Sequence, residues 1–411
     1  MKKALIVLLL LAFVAGGLFA QFSFSGRVDS GLAIFKYADV DDLTFGSISR
    51  QLDAGGTRAE INANITNEAG NAGLSFRLRV MGATFSALNY RWAYGWIKGF
   101  DGLLEARGGR IQGSDFDTLD ALSDGDTLYD SYGLQFYVTP LDMFKVGLGA
   151  YTTSYLGSGD LAKDAFTGWF GFGVYVADIL DFVAQMRFGR DLFDAYASFS
   201  VTAIQNVDIL FTAGLFNLLD PEYAVGATAA TDGHWQYPDG PAWAPVWVPA
   251  AAATPGTLKK DGVDMYFYEQ FGYGGIENLG LNLGLVQSIS TADSADLYFR
   301  GVIWLTYAMG SITPRLDLNF VTGGGYNVGS FYFTGQSSDP DDGSPFMPTY
   351  DKDNMYMTLI PSVQFQVARN CFLDVGFVAG IDMSKNDKVA FVGADKKGFN
   401  FGAFLDLYVR F

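Results

Sequence analysis

The chain has 411 residues, among them 50 glycines, 36 phenylalanines and 22 tyrosines but 12 prolines, and it carries 44 acidic against 27 basic residues. The acidic balance excludes nucleic acid as a partner, and the apolar and aromatic content excludes a disordered chain. Cys371 is the single cysteine, which argues against both a disulfide-stapled secreted domain and a lipid-anchored lipoprotein.

The first 20 residues have the three parts of a secretory signal peptide. Lys2 and Lys3 form a basic start, an apolar run follows, and Ala20 is a small residue at a suitable cleavage site. The apolar run is shorter than the roughly 20 residues of a membrane-spanning helix. We therefore predict that residues 1–20 are removed and that 21–411 is the mature chain, with a formal charge of −19 instead of −17.

The mature chain is a succession of segments in which apolar and polar residues alternate, which is the period of a β-strand. Most segments are close to the 9 to 11 residues with which a tilted strand crosses a bilayer. In chain order the predicted strands are 22–32, 57–66, 73–80, 89–97, 103–111, 132–139, 144–152, 166–176, 181–189, 192–203, 207–216, 263–273, 279–289, 296–308, 312–321, 355–367, 372–382 and 399–411.

The connections between these strands sort into two kinds. Those after even-numbered strands are tight turns such as "NEAG" and "PLDM", whereas those after odd-numbered strands include every long segment. This sorting is typical of a transmembrane barrel with short periplasmic turns, and a soluble sandwich or propeller does not show it. Residues 21–411 are therefore predicted to form one barrel, with an inserted loop at 112–130 and long extracellular loops at 218–262 and 322–354.

These features predict an all-β fold, a transmembrane antiparallel β-barrel of about 18 strands in the outer membrane of a diderm bacterium. The apolar series of each strand would face lipid, and the other series, which contains Arg58 and Glu60 in the second strand, would face a wet lumen. Glu269 falls on the lipid-facing series of the twelfth strand. The alternatives are therefore an error in the pairing of adjacent strands or a count of 16 strands.

One stretch, "RWAYGWIKGFDGLLEARGGRIQGSDFDTLD", resembles the bacterial general porins. It contains an aromatic strand from Tyr90 to Ile97, a tight turn from Gly99 to Gly102, and a strand that ends in Gly109 and Arg110. In that family the same pieces lead into the third extracellular loop. The family's Pro-Glu-Phe-Gly-Gly run is absent from the loop in this sequence.

The end of the chain carries a second resemblance to the porins. Phe411, with Val409 and Leu407 in the same alternating series, is similar to the terminal signal that the barrel-assembly machinery reads in outer-membrane proteins. The resemblance implies a homotrimer whose partners are outer-membrane lipids, the assembly machinery and small hydrophilic solutes.

The resemblance also implies that loop 112–130 folds into the lumen, where acidic loop residues face basic residues on the barrel wall. The acidic residues of this loop are Asp115, Asp117, Asp120, Asp124, Asp126 and Asp130. The lumen-facing arginines of the first five strands are Arg27, Arg58, Arg77, Arg79, Arg91 and Arg107. Carboxylates opposite guanidinium groups would set a transverse field across a narrow pore. The alternative is a solvated surface loop, with the lumen arginines paired to Asp29, Glu60 and Glu105.

Catalytic chemistry has little support in the sequence. His234, the single histidine, lies in a loop rich in proline and tryptophan, which disfavours a Ser-His or Asp-His pair. Glycine-rich pieces such as "GFGVY" lack the strand-to-helix context of a nucleotide site. The run "SSDPDDGSP" lacks the spacing of an EF-hand. We predict no enzyme activity, no cofactor and no metal site.

The leading functional hypothesis is a porin, a water-filled channel for passive diffusion of ions and small hydrophilic solutes with a modest cation preference. One alternative is a sugar-selective channel, in which lumen-series aromatics would form a stacking track: Tyr266, Tyr268, Tyr298 and Trp304. The other is an adhesin or structural surface protein without an open pore, with the stretch from His234 to Trp247 as its contact surface.

Overall fold

The structure is a computed structural model that describes residues 20–36, 43–48, 58–81, 87–117, 128–152, 166–189, 193–216, 218, 222–225, 234–236, 246–248, 257–260, 264–290, 297–322, 355–383 and 399–411. These residues form β-strands and turns, with one 3₁₀ turn at Phe100–Gly102. No helix in the described part of the chain is long and apolar enough to cross a membrane. Residues 1–19 of the predicted signal peptide lie outside the described residues.

Eighteen strands of the described residues form the barrel. They are β1 Ala20–Lys36, β2 Arg58–Asn67, β3 Ala72–Met81, β4 Ala87–Gly99, β5 Leu104–Gln112, β6 Asp130–Leu141, β7 Phe144–Thr152, β8 Thr167–Val176, β9 Leu180–Phe188, β10 Phe193–Val201, β11 Val207–Phe216, β12 Asp264–Tyr273, β13 Leu279–Ser290, β14 Leu297–Tyr307, β15 Ile312–Thr322, β16 Met355–Ala368, β17 Cys371–Asp382 and β18 Phe399–Arg410.

The eighteen strands close into a barrel. Each strand pairs antiparallel with the next, and β1 also pairs with β18 in a register that runs from Arg27↔Arg410 to Lys36↔Phe401. Phe411 extends this seam, because its N–H donates to the carbonyl of Gly26 at 3.0 Å and its own carbonyl accepts from the Gly26 N–H at 2.7 Å. The prediction of an 18-stranded barrel is confirmed, and the alternative of 16 strands is wrong.

One predicted loop contains a further strand. β1 extends to Lys36, beyond its predicted end, and β2 pairs with it as far as Asp29↔Arg58. The short strand Thr44–Ile48 pairs with residues 31–35 on the same edge of β1. It supplies the backbone hydrogen bonds that β2 does not reach, which closes this edge of the sheet.

The two faces of the wall differ in chemistry, as β18 shows. Phe401 and Leu405 point outward and are each 48% exposed, whereas Asp406 and Tyr408 point into the barrel and are buried. Glu269 lies on the outward face of β12, paired with Phe211 and Leu285, so the face predicted for this residue is correct. An outer face this apolar suits contact with lipid and not with water.

The connections sort as predicted. Those after even-numbered strands are two to five residues long and lie wholly within the described residues, whereas those after odd-numbered strands reach 47 residues. The described residues of the longest connection form two hairpins, one of Glu222–Val225 with Thr257–Lys260 and one of His234–Gln236 with Val246–Val248. The extracellular placement of the long loops remains a prediction.

A charge on the outer face is expected to cost more than the same charge in the lumen. Ile61 of β2 points outward and is 45% exposed, whereas Asn64 points inward, where its Oδ1 accepts a hydrogen bond from Ser75 at 2.7 Å. Ile61→Arg should lower the free energy of unfolding by about 2 to 4 kcal/mol, and Asn64→Arg by much less. Denaturant unfolding in lipid vesicles measures both, and equal losses would contradict the assignment of the faces.

Candidate channel constriction

Both described ends of the inserted loop lie inside the barrel. Residues 113–117 follow β5 and residues 128–129 precede β6, and the Gly113 N–H donates to the carbonyl of Tyr129 at 2.7 Å, which ties the two ends together. Phe116 and Tyr129 are fully buried at 0% exposure. The loop base therefore packs on the inner wall.

Phe116 packs against the wall where that wall has glycines in place of side chains. A Cβ atom on Gly147 would lie 2.7 Å from Cε2 of Phe116, and one on Gly171 would overlap the same ring. The Phe116 ring also contacts Tyr137 and Trp169, with ring centroids 5.8 Å and 5.9 Å away. The inward-facing glycines of β7 and β8 thus form a socket for a loop side chain.

Gln185 of β9 binds the same turn through polar contacts. Its Nε2 donates to the Phe116 carbonyl and to Oδ1 of Asp117, each at 3.1 Å. Its Oε1 accepts from the Nε1 of Trp169 at 2.7 Å and from the Ser114 hydroxyl at 3.2 Å. The buried side-chain amide of Gln185 therefore makes hydrogen bonds to both the wall and the loop, and these bonds hold the turn and fix its orientation.

The other end of the loop base is held by tyrosines. The hydroxyl of Tyr151 donates to the Leu128 carbonyl at 3.0 Å, and the Tyr129 hydroxyl lies 3.1 Å from the carbonyls of Leu134 and Ala150. The Tyr129 ring meets Trp169 edge to face at 5.6 Å. Trp169 thus contacts both ends of the loop base.

Charges anchor the loop base at Asp115. Its Oδ1 lies 2.7 Å from Nη1 of Arg107, and Lys145 also pairs with this carboxylate. Arg107 in turn pairs with Glu105 at 2.6 Å and lies over the Tyr137 ring. Burial alone would raise the pKa of the Asp115 carboxyl group, but the charges and hydrogen bonds of Arg107 and Lys145 hold it below its ordinary value.

The lowered pKa of Asp115 predicts a contact that resists acid. A carboxylate whose pKa is lower in the folded than in the unfolded state stabilises the fold at every pH above its unfolded-state pKa, which is about 3.9 for aspartate. This contribution is lost as the pH falls through the pKa of the folded state. The protection factors of the loop-base amides, which correct the exchange rates for their intrinsic dependence on pH, should therefore stay constant from neutral pH to about pH 4 and fall below it. Asp115→Asn should lack this acid step, and a step near neutral pH would contradict the assignment.

Three of the predicted arginines gather around one carboxylate on the inner face of β1 to β3. Glu60 is 2% exposed, lies 2.9 Å from Nε of Arg27 and also pairs with Arg79. Nη1 of Arg77 lies 4.0 Å from Oε2 of Glu60, and the Arg77 guanidinium lies over the Trp92 ring at 3.8 Å. This basic wall (Arg27, Arg77, Arg79 and Glu60) points into the lumen and has an excess of positive charge.

For the other predicted site residues the structure describes the backbone position at most, and not the side chain. Arg58 and Arg91 lie in β2 and β4, and Asp130 starts β6, but their side chains are outside the described residues. Asp120, Asp124 and Asp126 also lie outside them. Among the described residues Arg107 contacts a loop aspartate, whereas Arg27, Arg77 and Arg79 contact Glu60, the pairing that the surface-loop alternative predicted.

The aromatics of the sugar-channel alternative point inward but are covered. Tyr266 is 1% exposed, Tyr268 is 0% exposed and Trp304 is also buried, while the Tyr298 side chain lies outside the described residues. These described rings do not present a free stacking face. The His234 side chain likewise lies outside the described part of the chain.

The sequence predicted the loop but not its anchors. The roles of Phe116, Gln185 and the glycine socket do not follow from alternation alone, although "VGLGAY" and "GFGVY" place glycine at alternate, inward positions of β7 and β8. A run of glycine on the lumen-facing series indicates that something large packs there. This glycine pattern is therefore the sequence signal for the socket.

A closed 18-stranded antiparallel barrel with an apolar outer face, and with the described base of one loop packed on its inner wall, has the porin-like fold of an outer-membrane β-barrel. OpdQ of Pseudomonas aeruginosa has this fold, with a TM-score of 0.50, 7% identity and coverage of 95% of this chain and 98% of that chain. A loop-deletion mutant of OmpT, an outer membrane protein of Vibrio cholerae, matches with a TM-score of 0.48, 13% identity and coverage of 95% and 99%.

An anion-selective porin from Comamonas acidovorans matches with a TM-score of 0.46, 10% identity and coverage of 95% of this chain and 100% of that chain. No protein-family profile matches the sequence, and the comparison with curated proteins also finds no match. The shared feature is the fold. The porin-like outer-membrane barrel expected from the sequence is confirmed.

Proposed function

We propose that the protein is a porin, a water-filled channel for passive diffusion of ions and small hydrophilic solutes with a modest cation preference. The observation that carries the proposal is the loop base inside the lumen, where Asp115 and Asp117 contact residues of the inner wall. In the proposed channel this segment narrows the barrel and leaves a path for water and small solutes, as passive diffusion requires.

The cation preference rests on charge. The mature chain carries an excess of acidic residues, and Asp374 and Asp406 face each other across β17 and β18 on the inward side. Carboxylates in a confined lumen raise the local concentration of cations. The basic wall opposes them, so that we expect a modest selectivity.

Planar-bilayer recording tests the proposal. The refolded protein should give stable, ohmic single-channel currents and a reversal potential on the cation side in a salt gradient. Replacing Asp117, Asp120 and Asp124 together with Asn should shift that potential toward anions, and Arg77→Gln with Arg79→Gln should shift it the other way. Both shifts should weaken at high salt, because the Debye length falls from about 10 Å at 0.1 M to about 3 Å at 1 M.

The outcomes of this experiment separate the hypotheses. Absence of conductance would favour the adhesin, and saturable block by sugars would favour the sugar channel. If the loop variants leave selectivity unchanged while the wall variants alter it, the centre of the loop lies outside the ion path.

We also propose a homotrimer, since one OmpT structure among the fold matches is described as a trimer form. The mass of the detergent-solubilised complex tests this proposal.

A further inference from the structure

We propose that Phe116 and its glycine socket act as the positioning device of the constriction, so that one loop side chain sets where the loop lies in the lumen. The inference rests on the proposed channel function and deepens it. The Phe116 side chain does not line the path of a solute, because its ring is fully buried against the wall. It acts through the neighbouring Asp115 and Asp117.

The socket forms where two adjacent strands have glycine in place of residues with side chains. Gly147 of β7 pairs directly with Gly171 of β8, and a Cβ atom on either one would meet the Phe116 ring. Leu148 and Phe170 form the next pair and lie on the outer face. At this level of the wall the inward-facing positions of β7 and β8 have no side chain, whereas the neighbouring outward-facing positions have large ones.

The walls of the socket are rigid and fit one ring. Trp169 and Tyr137 flank Phe116, and Trp169 stacks on it with an interplanar angle of 27°. Trp169 is itself held, because its Nε1 donates to Gln185 at 2.7 Å. A ring inserted among fixed aromatic neighbours has one low-energy position.

The position of Phe116 determines the position of the charges on both sides of it. Asp115 reaches Arg107 and Lys145 on one side, and Asp117 reaches Gln185 on the other. A loop anchored by charge pairs alone would be free to exchange partners as salt screens them, whereas a buried ring is insensitive to salt. The socket thus explains how charged side chains stay fixed in a wet lumen.

The test compares the wild type with two single variants and a matched control. Phe116→Ala removes the ring, and Gly171→Ala places a methyl group where the ring lies. Gly301→Ala adds the same methyl group to the outer face of β14, where its nearest neighbour is 3.8 Å away, and serves as the control. The two measurements are hydrogen exchange of residues 112–130 and single-channel current.

We expect the amides of Gly113 and Phe116, which have hydrogen-bond acceptors in Tyr129 and Ser114, to exchange faster by about 100-fold in Phe116→Ala, the ratio that corresponds to a large-to-small loss of about 3 kcal/mol. Gly171→Ala should change exchange in the same direction. Both variants should replace one steady current level with fluctuating levels. Gly301→Ala should match the wild type in both measurements.

A double variant covers the case in which Phe116→Ala does not fold. Phe116→Gly with Gly171→Phe returns a ring to the socket from the wall side and cuts its link to the loop. A folded barrel with fast exchange in 112–130 supports the proposal. Slow exchange as in the wild type overturns it, as do unchanged exchange and current in both single variants. If the wild type does not conduct, the channel function fails, and the exchange measurement still tests the anchor.

Discussion

Glu60→Gln is expected to shift the reversal potential toward anions and to destabilise the barrel. Glu60 is the carboxylate that Arg27 and Arg79 both contact, and it is 2% exposed. The substitution keeps the shape of the side chain and removes the negative charge from the centre of the basic wall. The loss of charge-assisted hydrogen bonds should cost about 1.5 to 3 kcal/mol of unfolding free energy.

Glu269→Gln is the matched control for this prediction. It changes the net charge of the chain by the same amount, but Glu269 lies on the outer face beside Phe211 and Leu285, away from the lumen. Reversal potentials at 0.1 M and 1 M salt should therefore differ between wild type and Glu60→Gln, and the difference should shrink at the higher salt. Equal shifts in the two variants would mean that total charge, and not the basic wall, sets the selectivity.

The barrel was predictable from the sequence because two local signals agree. Alternation with period two assigns each residue to a face, and the tight turns mark where a strand must reverse. Together they placed Arg27, Arg77, Arg79 and Arg107 on the inward series, where the structure has them. The strand Thr44–Ile48 was missed, because its five residues are too few to show a clear period.

The partners of these arginines depend on register, which alternation does not determine. Arg27 lies directly opposite Glu60, and Glu60 lies directly opposite Arg79, on three neighbouring strands. The turn between β2 and β3 limits the second pairing, but the first depends on the long connection between β1 and β2. The sequence therefore indicated which charges enter the lumen and left open which of them meet.

The anchors of the loop were harder to predict because they join distant parts of the chain. Phe116 contacts Gly147 and Gly171, and Gln185 reaches back to Phe116 and Asp117. Each contact requires the register of β6 to β9 as well as the path of the loop. The absence of the Pro-Glu-Phe-Gly-Gly run does not prevent the loop base from turning inward, because the socket provides another means of holding it.

Trp169→Ala is expected to give the largest loss of stability among these variants. Trp169 is 1% exposed, and its ring contacts the rings of Phe116, Tyr129 and Tyr137 at 5.6 to 6.0 Å. Removing a buried tryptophan costs about 3 to 5 kcal/mol, because the space it leaves is not refilled. Here the loss also frees both ends of the loop base, so that the channel current should become unsteady.

Phe401→Ala is the control that distinguishes the loss of the Trp169 ring from the loss of an aromatic ring elsewhere in the barrel. Phe401 lies on the outer face of β18 and is 48% exposed, so lipid acyl chains occupy the space that its ring leaves. We expect a much smaller change in the unfolding free energy and a steady current at the wild-type level. Denaturant unfolding in vesicles and single-channel recording of both variants provide the comparison. Similar costs for the two rings would show that the cluster around Trp169 contributes no more to stability than a lipid-facing side chain, and the loop base would then be held by its polar contacts.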